Sequence, residues 1–203
     1  MTRFAVVLLA AGFLLTTGCE RKQDAGMPPH SPEAAGAPAG HAAMEGGASG
    51  MKPMSGTPHD AWFIDAMIPH HQAAVDMARQ ALSQAEHEEI RVLAQSILTS
   101  QQAEIDQMKA WRETWYPGLA RTSGGDDAMK MEGMRLSDDA KVPFDERFID
   151  AMIPHHESAV VMATRAKTEA EHAELEDLAV RIVSAQQAEI ESMKRWRAEW
   201  FAR

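Results

Sequence analysis

The chain has 203 residues, of which 45% are hydrophobic, 25% are charged and 14 are methionine. This composition is typical of one folded domain with flanking disordered segments. The formal net charge of −10 argues against nucleic acid as a partner, because contacts with phosphates require a basic surface. A single cysteine excludes an internal disulfide framework and makes a thiolate metal site implausible.

The N-terminus has the pattern of an export signal. Arg3 precedes an apolar run over residues 4–15, which is too short to span a membrane. Cys19 follows Gly18 in the segment LLTTGCE, which resembles the lipobox of bacterial lipoproteins. We therefore predict a signal peptide over residues 1–18 and export to the periplasm or cell envelope. Attachment to the membrane is predicted only through a lipid on Cys19, and secretion with a free thiol is the alternative.

Residues 19–57 form a predicted flexible tether, rich in Gly, Pro, Ala and Ser and without an apolar period. Thioether and imidazole groups, which suit Cu(I) and Ag(I), occur in and beside this tether and in the later linker. They are predicted auxiliary metal ligands, and chance occurrence in a low-complexity segment is the alternative. The side chains are Met27, His30, His41, Met44, Met51, Met54, His59, Met129, Met131 and Met134.

An internal duplication accounts for most of the remaining chain. Residues 60–115 align with residues 145–200 without a gap, and 32 of the 56 positions are identical. Within each copy, apolar residues recur at spacings of three and four, as in helices with one buried face. We predict an all-α fold, a four-helix bundle over residues 58–203 made of two antiparallel helical hairpins, with a disordered N-terminal tail. The linker is predicted over residues 116–144, and repeat two is predicted to extend to residue 202.

Each hairpin is predicted to turn at a capping box of the form S/T-x-x-E, which starts a second helix near residue 84 or 169. The two boxes are Ser83 with Glu86 and Thr168 with Glu171. His87 and His172 follow these boxes and are predicted to be exposed polar residues, with a ligand role as the alternative. Four tryptophans are predicted to plug the bundle near the ends of the second helices. They are Trp111, Trp115, Trp196 and Trp200.

The first helix of each copy contains the stretch FIDAMIPHH. Pro69 is predicted to kink or restart the first of these helices, because a proline inside a helix costs about 3 kcal/mol. Met67 precedes His70 by three residues and His71 by four, so a thioether and an imidazole share one face. Met77 returns to that face two turns later. The second copy repeats these offsets at Met152, His155, His156 and Met162.

Polar residues interrupt the apolar face of the second helices at Gln101, Glu104, Gln186 and Glu189. A buried carboxylate persists only when it is hydrogen-bonded, protonated or bound to a metal. In one interpretation these groups bond the histidines, and the methionines are core filler. In the other, which we favour, Met and His bind a soft metal ion while the Glu and Gln side chains orient the imidazoles or add ligands.

These motifs resemble the ferritin-like four-helix family known as domain of unknown function 305. The shared motifs are M-x-x-H-H at 67–71 and 152–156, M-A at Met77 and Met162, and Q-Q-A-E-I-x-x-M at 101–108 and 186–193. Some members are periplasmic copper-resistance proteins of the CopM type, which bind copper and silver. The resemblance implies a ferritin-like bundle that binds copper outside the cytoplasm, without catalytic activity. We include Met108 and Met193 of the third motif among the predicted ligands.

The predicted function is binding of copper, with Cu(I) preferred and Ag(I) or Cu(II) as further ions. The chain would sequester the ion or transfer it to a partner protein. A metal-free helical interaction module of the cell envelope is the alternative. A di-iron or di-manganese oxidase is disfavoured, because it needs Glu-x-x-His on two helices and only Glu169 with His172 matches.

Overall fold

A computed structural model of the protein describes residues 56–122 and 134–202, and within these ranges it contains helices and no strands. The four helices are α1 (His59–Gln84), α2 (Glu88–Trp115), α3 (Phe144–Glu169) and α4 (Ala173–Trp200). Helices α1 and α2 form one hairpin, α3 and α4 form the other, and α1 packs on α3. The prediction of an all-α four-helix bundle is confirmed. None of the helices in the described part of the chain is long and apolar enough to cross a membrane.

The apolar core is divided between the two ends of the bundle, and both repeats contribute to each end. The first cluster joins the second half of α1 and the first halves of α2 and α3, with Ala74, Ile90 and Phe148 among its members. The second cluster joins the first half of α1, the second half of α3 and the first half of α4, including Phe63 and Leu175. Helices α1 and α3 therefore cross in antiparallel directions, and their midpoints lie between the two clusters.

Helices α1 and α3 run through Pro69 and Pro154 as continuous helices. The predicted restart at Pro69 is therefore wrong. The ring of Pro69 removes one backbone donor, but α1 is buried along most of its length between other helices, and this packing holds its two halves together. The histidine pairs that follow the prolines consequently keep regular helical spacing.

The predicted capping boxes are also wrong. Ser83 lies within α1, where its hydroxyl donates to the carbonyl of Gln80 at 3.0 Å. Thr168 likewise donates to the carbonyl of Arg165 at 3.1 Å. Helices α2 and α4 start four residues later than predicted, and their N-cap residues make no side-chain capping bond of their own.

The first backbone donors of α2 and α4 are instead bound by carboxylates from the opposite repeat. Asp145, in the first turn of α3, accepts hydrogen bonds from the backbone N–H groups of Glu86 at 3.1 Å and His87 at 2.8 Å. Asp60, in the first turn of α1, accepts the equivalent two bonds at the start of α4, at 2.9 and 3.0 Å. Both carboxylates are buried. Negative charge is favourable at a helix N-terminus, so each repeat stabilises a helix start in the other.

Candidate metal centre

Two histidine pairs meet where α1 and α3 cross. The rings of His70 and His155 lie 3.8 Å apart between centroids, at an interplanar angle of 41°. His71 is 6.4 Å from His70, and His156 is 6.2 Å from His155. All four side chains are at most 2% exposed. We call these four residues the histidine layer.

Each outer histidine of the layer is held by a glutamate from the second helix of its own hairpin. Nε2 of His71 is 2.8 Å from Oε2 of Glu104, and Nε2 of His156 is 2.7 Å from Oε2 of Glu189. Because a carboxylate oxygen can only accept, the proton of each bond lies on Nε2. Nδ1 of each ring then carries the lone pair, and among the described residues it has no hydrogen-bond partner. A carboxylate that fixes a histidine tautomer in this way is the usual support of a metal-binding imidazole.

The inner histidines and the neighbouring glutamines leave further polar atoms without partners in the described part of the chain. Both ring nitrogens of His70 and of His155 lack a hydrogen bond, as do the Oε1 atoms of Gln101 and Gln186. An unpaired buried polar group costs about 1–3 kcal/mol, and such groups are rare in folded proteins. Their concentration at one level of the bundle indicates a site that binds an additional group.

Burial keeps the inner imidazoles neutral. Loss of hydration, together with the neighbouring His156 and His71, lowers the pKa of His155 from 6.5 to about 3. The same causes, burial first and then the surrounding imidazoles, lower the pKa of His70 well below its ordinary value. At neutral pH each of these rings therefore has a lone pair that can bind a cation.

The six methionines predicted as ligands are all buried, and they divide between the two apolar clusters. One cluster contains Met67, Met108 and Met162. The other contains Met77, Met152 and Met193. Each group of three draws on both repeats, so Met67 and Met77, which share a face of α1, lie in different clusters. Thioether sulfur is therefore present in the apolar cluster on each side of the histidine layer.

Within residues 56–122 and 134–202, no three imidazole, thiolate or carboxylate groups converge on one point in the manner of a metal site. A cation bound at the histidine layer would draw further ligands from methionine sulfur or glutamine oxygen, or would keep two imidazole ligands. Thioether and imidazole are ligands that Cu(I) accepts readily. The residues present fit a soft cation better than Mg²⁺ or Ca²⁺, which prefer sets of oxygen ligands.

Two of the predicted auxiliary ligands fall within the described residues, and both are buried. His59, the first residue of α1, lies beside Trp62 at 5.5 Å between ring centroids, and its Nε2 is 3.7 Å from Oε2 of Glu169. Met134 lies in the segment before α3 and is 7% exposed. The remaining predicted positions lie outside the described residues. They are Cys19, Met27, His30, His41, Met44, Met51, Met54, Met129 and Met131.

The prediction that His87 and His172 are simply exposed polar residues is wrong. His87 is 36% exposed, its Nδ1 is 2.6 Å from Oδ2 of Asp145, and its ring stacks on Trp200 at 3.8 Å. His172 bonds Asp60 at 2.8 Å and stacks on Trp115 at 3.9 Å. The aspartates, histidines and tryptophans involved are identical in the two copies of the repeat, which was the available signal in the sequence. These contacts close the two ends of the bundle.

Comparison with known proteins agrees with the resemblance seen in the sequence. Residues 14–112 and 60–197 match the family described as Domain of unknown function (DUF305). A crystal structure of a DUF305 fragment from Deinococcus radiodurans is 29% identical, with a TM-score of 0.55, and the match covers 68% of this chain and 94% of that one. No curated protein matches the chain.

Solved structures of one protein, CopM, match with higher identity. CopM in the Cu(I)-bound form is 40% identical with a TM-score of 0.57, and the match covers 70% of this chain and 98% of that chain. The Cu(II)-bound form is 40% identical with a TM-score of 0.60, covering 70% and 97%. An Ag-bound form obtained by soaking is 39% identical with a TM-score of 0.59, covering 70% and 98%.

Proposed function

Because this chain belongs to the DUF305 family and encloses, between two apolar clusters that contain methionine, a layer of imidazoles with ring nitrogens that lack partners among the described residues, we propose that it binds copper. The preferred ion is Cu(I), with Ag(I) and Cu(II) as further ions. The protein sequesters the ion or passes it to a partner protein in copper homeostasis or resistance. The observation that carries the proposal is the set of buried ring nitrogens without hydrogen-bond partners among the described residues.

The chemistry of the donors supports the choice of metal. Neutral thioether and imidazole groups favour Cu(I) and Ag(I), whereas Zn(II) prefers thiolate, imidazole and carboxylate. The similarity to CopM, whose structures include Cu(I)-, Cu(II)- and Ag-bound forms, supports the same choice. In the proposal the ligands come from the histidine layer and the six buried methionines. Glu104 and Glu189 orient His71 and His156, and Gln101 and Gln186 orient the rings or serve as additional ligands.

The metal is proposed as cargo, and no catalytic step is assigned. Export and lipid attachment through Cys19 belong to the same proposal, and they rest on the export-signal pattern of residues 1–18 and the lipobox-like segment around Cys19. The tether methionines and histidines would act as weaker auxiliary ligands, since flexible ligands must be ordered on binding at an entropic cost. Mass spectrometry of the protein purified from membranes would test for a lipidated Cys19 as the first residue.

A metal-free interaction module is the competing function, and it has one observation in its favour. The bonds from His71 to Glu104 and from His156 to Glu189 already satisfy part of the histidine layer without a metal. Under this alternative the remaining unpartnered nitrogens would be hydrated, and copper would bind no more tightly than to an unrelated helical bundle.

Anaerobic titration with Cu(I) against a competing chromophoric chelator separates the two functions. We expect tight binding by the parent, and markedly weaker binding when Met67→Leu and Met152→Leu are combined. Replacing Met by Leu conserves volume, so the free energy of unfolding should fall by less than about 1.5 kcal/mol per site.

The matched control combines Ile97→Leu with Ile182→Leu, two buried apolar positions without donor atoms. This pair should leave Cu(I) affinity unchanged. Equal affinity of the parent and the methionine double variant would show that these two sulfurs are core packing. Absence of Cu(I) binding by the parent would favour the metal-free module.

A further inference from the structure

A groove of about 490 Å³ lies between α2 and α4 and reaches one of the two glutamates that bond the histidine layer. Its walls include Ser96 and Ser192, whose small side chains leave space between the helices, and Trp196. Glu189 also lines the groove and is 18% exposed, while its Oε2 contacts Nε2 of the fully buried His156 at 2.7 Å. A single carboxylate thus connects the outer surface to the buried imidazoles.

We propose that this groove is the route by which the metal ion enters and leaves the histidine layer, with Glu189 as the intermediate contact. This inference rests on the proposed function. His156 keeps an unpartnered Nδ1 among the described residues, on the same ring whose Nε2 contacts Glu189, so an ion bound by Glu189 is one imidazole away from an available lone pair. The carboxylate can release the Nε2–H of His156 and bind the ion, and the freed ring, which keeps its proton on Nε2, can then turn and accept the ion at the Nδ1 lone pair.

The charge of the groove favours cations. Glu88 and Glu89, at the start of α2, line it together with Glu189; Glu88 is paired with Arg91 at 2.7 Å, and the described lining itself contains no basic residue. A cleft lined by one sign of charge concentrates ions of the opposite sign and raises association rates by about 10- to 10³-fold. The groove is thus acidic at the surface and leads to soft, neutral donors in the interior.

The equivalent surface of the other copy has a different composition. Shifting the lining residues by the 85-residue offset of the duplication retains two glutamates, Glu174 in place of Glu89 and Glu104 in place of Glu189, and loses one, because Glu88 corresponds to Ala173. Three of the small or apolar positions, however, become charged or polar, while Leu93, Ala188 and Trp196 correspond to the same residue types. Val92 corresponds to Asp177, Ser96 to Arg181 and Ser192 to Gln107. Because Arg181 would repel a cation at the position where the groove has Ser96, we assign the route to the Glu189 side alone.

Transfer kinetics test the route separately from binding. The parent is loaded with Cu(I) under anaerobic conditions and mixed with excess bathocuproine disulfonate, and formation of the coloured complex reports release. Ser96→Arg should slow release and loading by about tenfold, the lower end of the effect of charge focusing. Stoichiometry, measured by equilibrium titration, should be unchanged. Gln102→Arg is the matched control, since it adds the same charge to α2 outside the groove and should leave both rates unchanged.

The reciprocal variant, Arg181→Ser, should accelerate transfer by opening a second route beside Glu104. Unchanged rates in Ser96→Arg, with normal stoichiometry, would overturn the route and leave copper binding intact. Equal slowing by Ser96→Arg and Gln102→Arg would also overturn it, because the effect would then be one of net charge. A parent that takes up no Cu(I) would overturn the proposed function and the route together.

Discussion

The two repeats use the same ion pair in different surroundings. In repeat one, Arg112 pairs with Asp65 at 2.8 Å, and the two side chains are 5% and 2% exposed. In repeat two, the equivalent Arg197 pairs with Asp150 at 2.7 Å, and the side chains are 33% and 50% exposed. Identical residues at identical offsets thus form a buried ion pair in one copy and a surface pair in the other.

The difference comes from the segment that follows each second helix. After α2, residues 116–122 fold over the pair: Arg112 donates to the carbonyls of Leu119 and Ala120, and Asp65 accepts from the backbone N–H of Thr122 at 2.9 Å. After α4, Arg197 donates to the carbonyl of Phe201. A charge that is both paired and hydrogen-bonded can be buried. The segment that covers the pair therefore changes how much the pair contributes to the free energy of unfolding.

The largest expected effect comes from breaking this pair in each repeat. Asp65→Asn should lower the free energy of unfolding by about 3–5 kcal/mol, because it leaves Arg112 buried without its counter-ion. Asp150→Asn should lower it by less than about 1 kcal/mol, because the exposed pair is screened by water. Urea unfolding followed by circular dichroism measures both. Similar losses in the two variants would show that cover by residues 116–122 does not control the contribution of the pair.

The inner histidines, one from each copy, allow a second comparison, based on how the stability of the protein depends on pH. The unfolded chain binds a proton at His155 below about pH 6.5, whereas the folded chain does so only near pH 3, because burial lowers the pKa to about 3. The stability of the metal-free protein should therefore fall as the pH is lowered through this window, by about 1.4 kcal/mol per pH unit for this residue.

His155→Leu should remove that contribution to the pH dependence, and His70→Leu should do the same if the layer is symmetric. The neighbouring imidazoles of His71 and His156 remain in both variants. Urea unfolding between about pH 6.5 and pH 4 gives the slopes. A slope that stays at the parental value in both variants would contradict neutral burial of the inner rings.

The crossed helix caps should give a smaller and more equal effect. Asp145→Ala or Asp60→Ala should each lower the free energy of unfolding by about 1–2 kcal/mol, since each removes the acceptor for two backbone donors and one histidine. Asp138→Ala, at an exposed position, is the control and should change little. Because His87 stacks on Trp200, tryptophan fluorescence should also change in Asp145→Ala. Full stability of either cap variant would mean that water replaces the carboxylate at no cost.

The sequence was sufficient for the fold because the relevant signals are local and occur twice. Apolar spacings of three and four predicted the helices, and a hairpin with one apolar face per helix requires a second hairpin to cover it. The same spacing brought Met67, His70 and His71 to one face of a helix, and it identified Glu104 as a polar interruption of the neighbouring seam. These predictions depend only on helical geometry.

The helix ends were not predictable in this way. The S/T-x-x-E pattern at Ser83 matched a local capping motif, yet the donors at the start of α2 are bound by Asp145, 58 residues from His87. A capping motif is defined by neighbours in the chain alone. It therefore cannot predict a bond to a carboxylate from another repeat. The partners of His87 and His172 were missed for the same reason.

The sequence by itself determined the duplication, the helical faces and the chemical types of the candidate ligands, because each is a property of residues close together in the chain. The tertiary structure decided that His70 meets His155, that Met67 and Met77 belong to different clusters, and that Asp65 is buried while Asp150 is not. All three follow from the antiparallel crossing of α1 and α3 and from the segment that covers repeat one. These contacts join residues far apart in the chain, and local periodicity carries no information about which distant surfaces pack together.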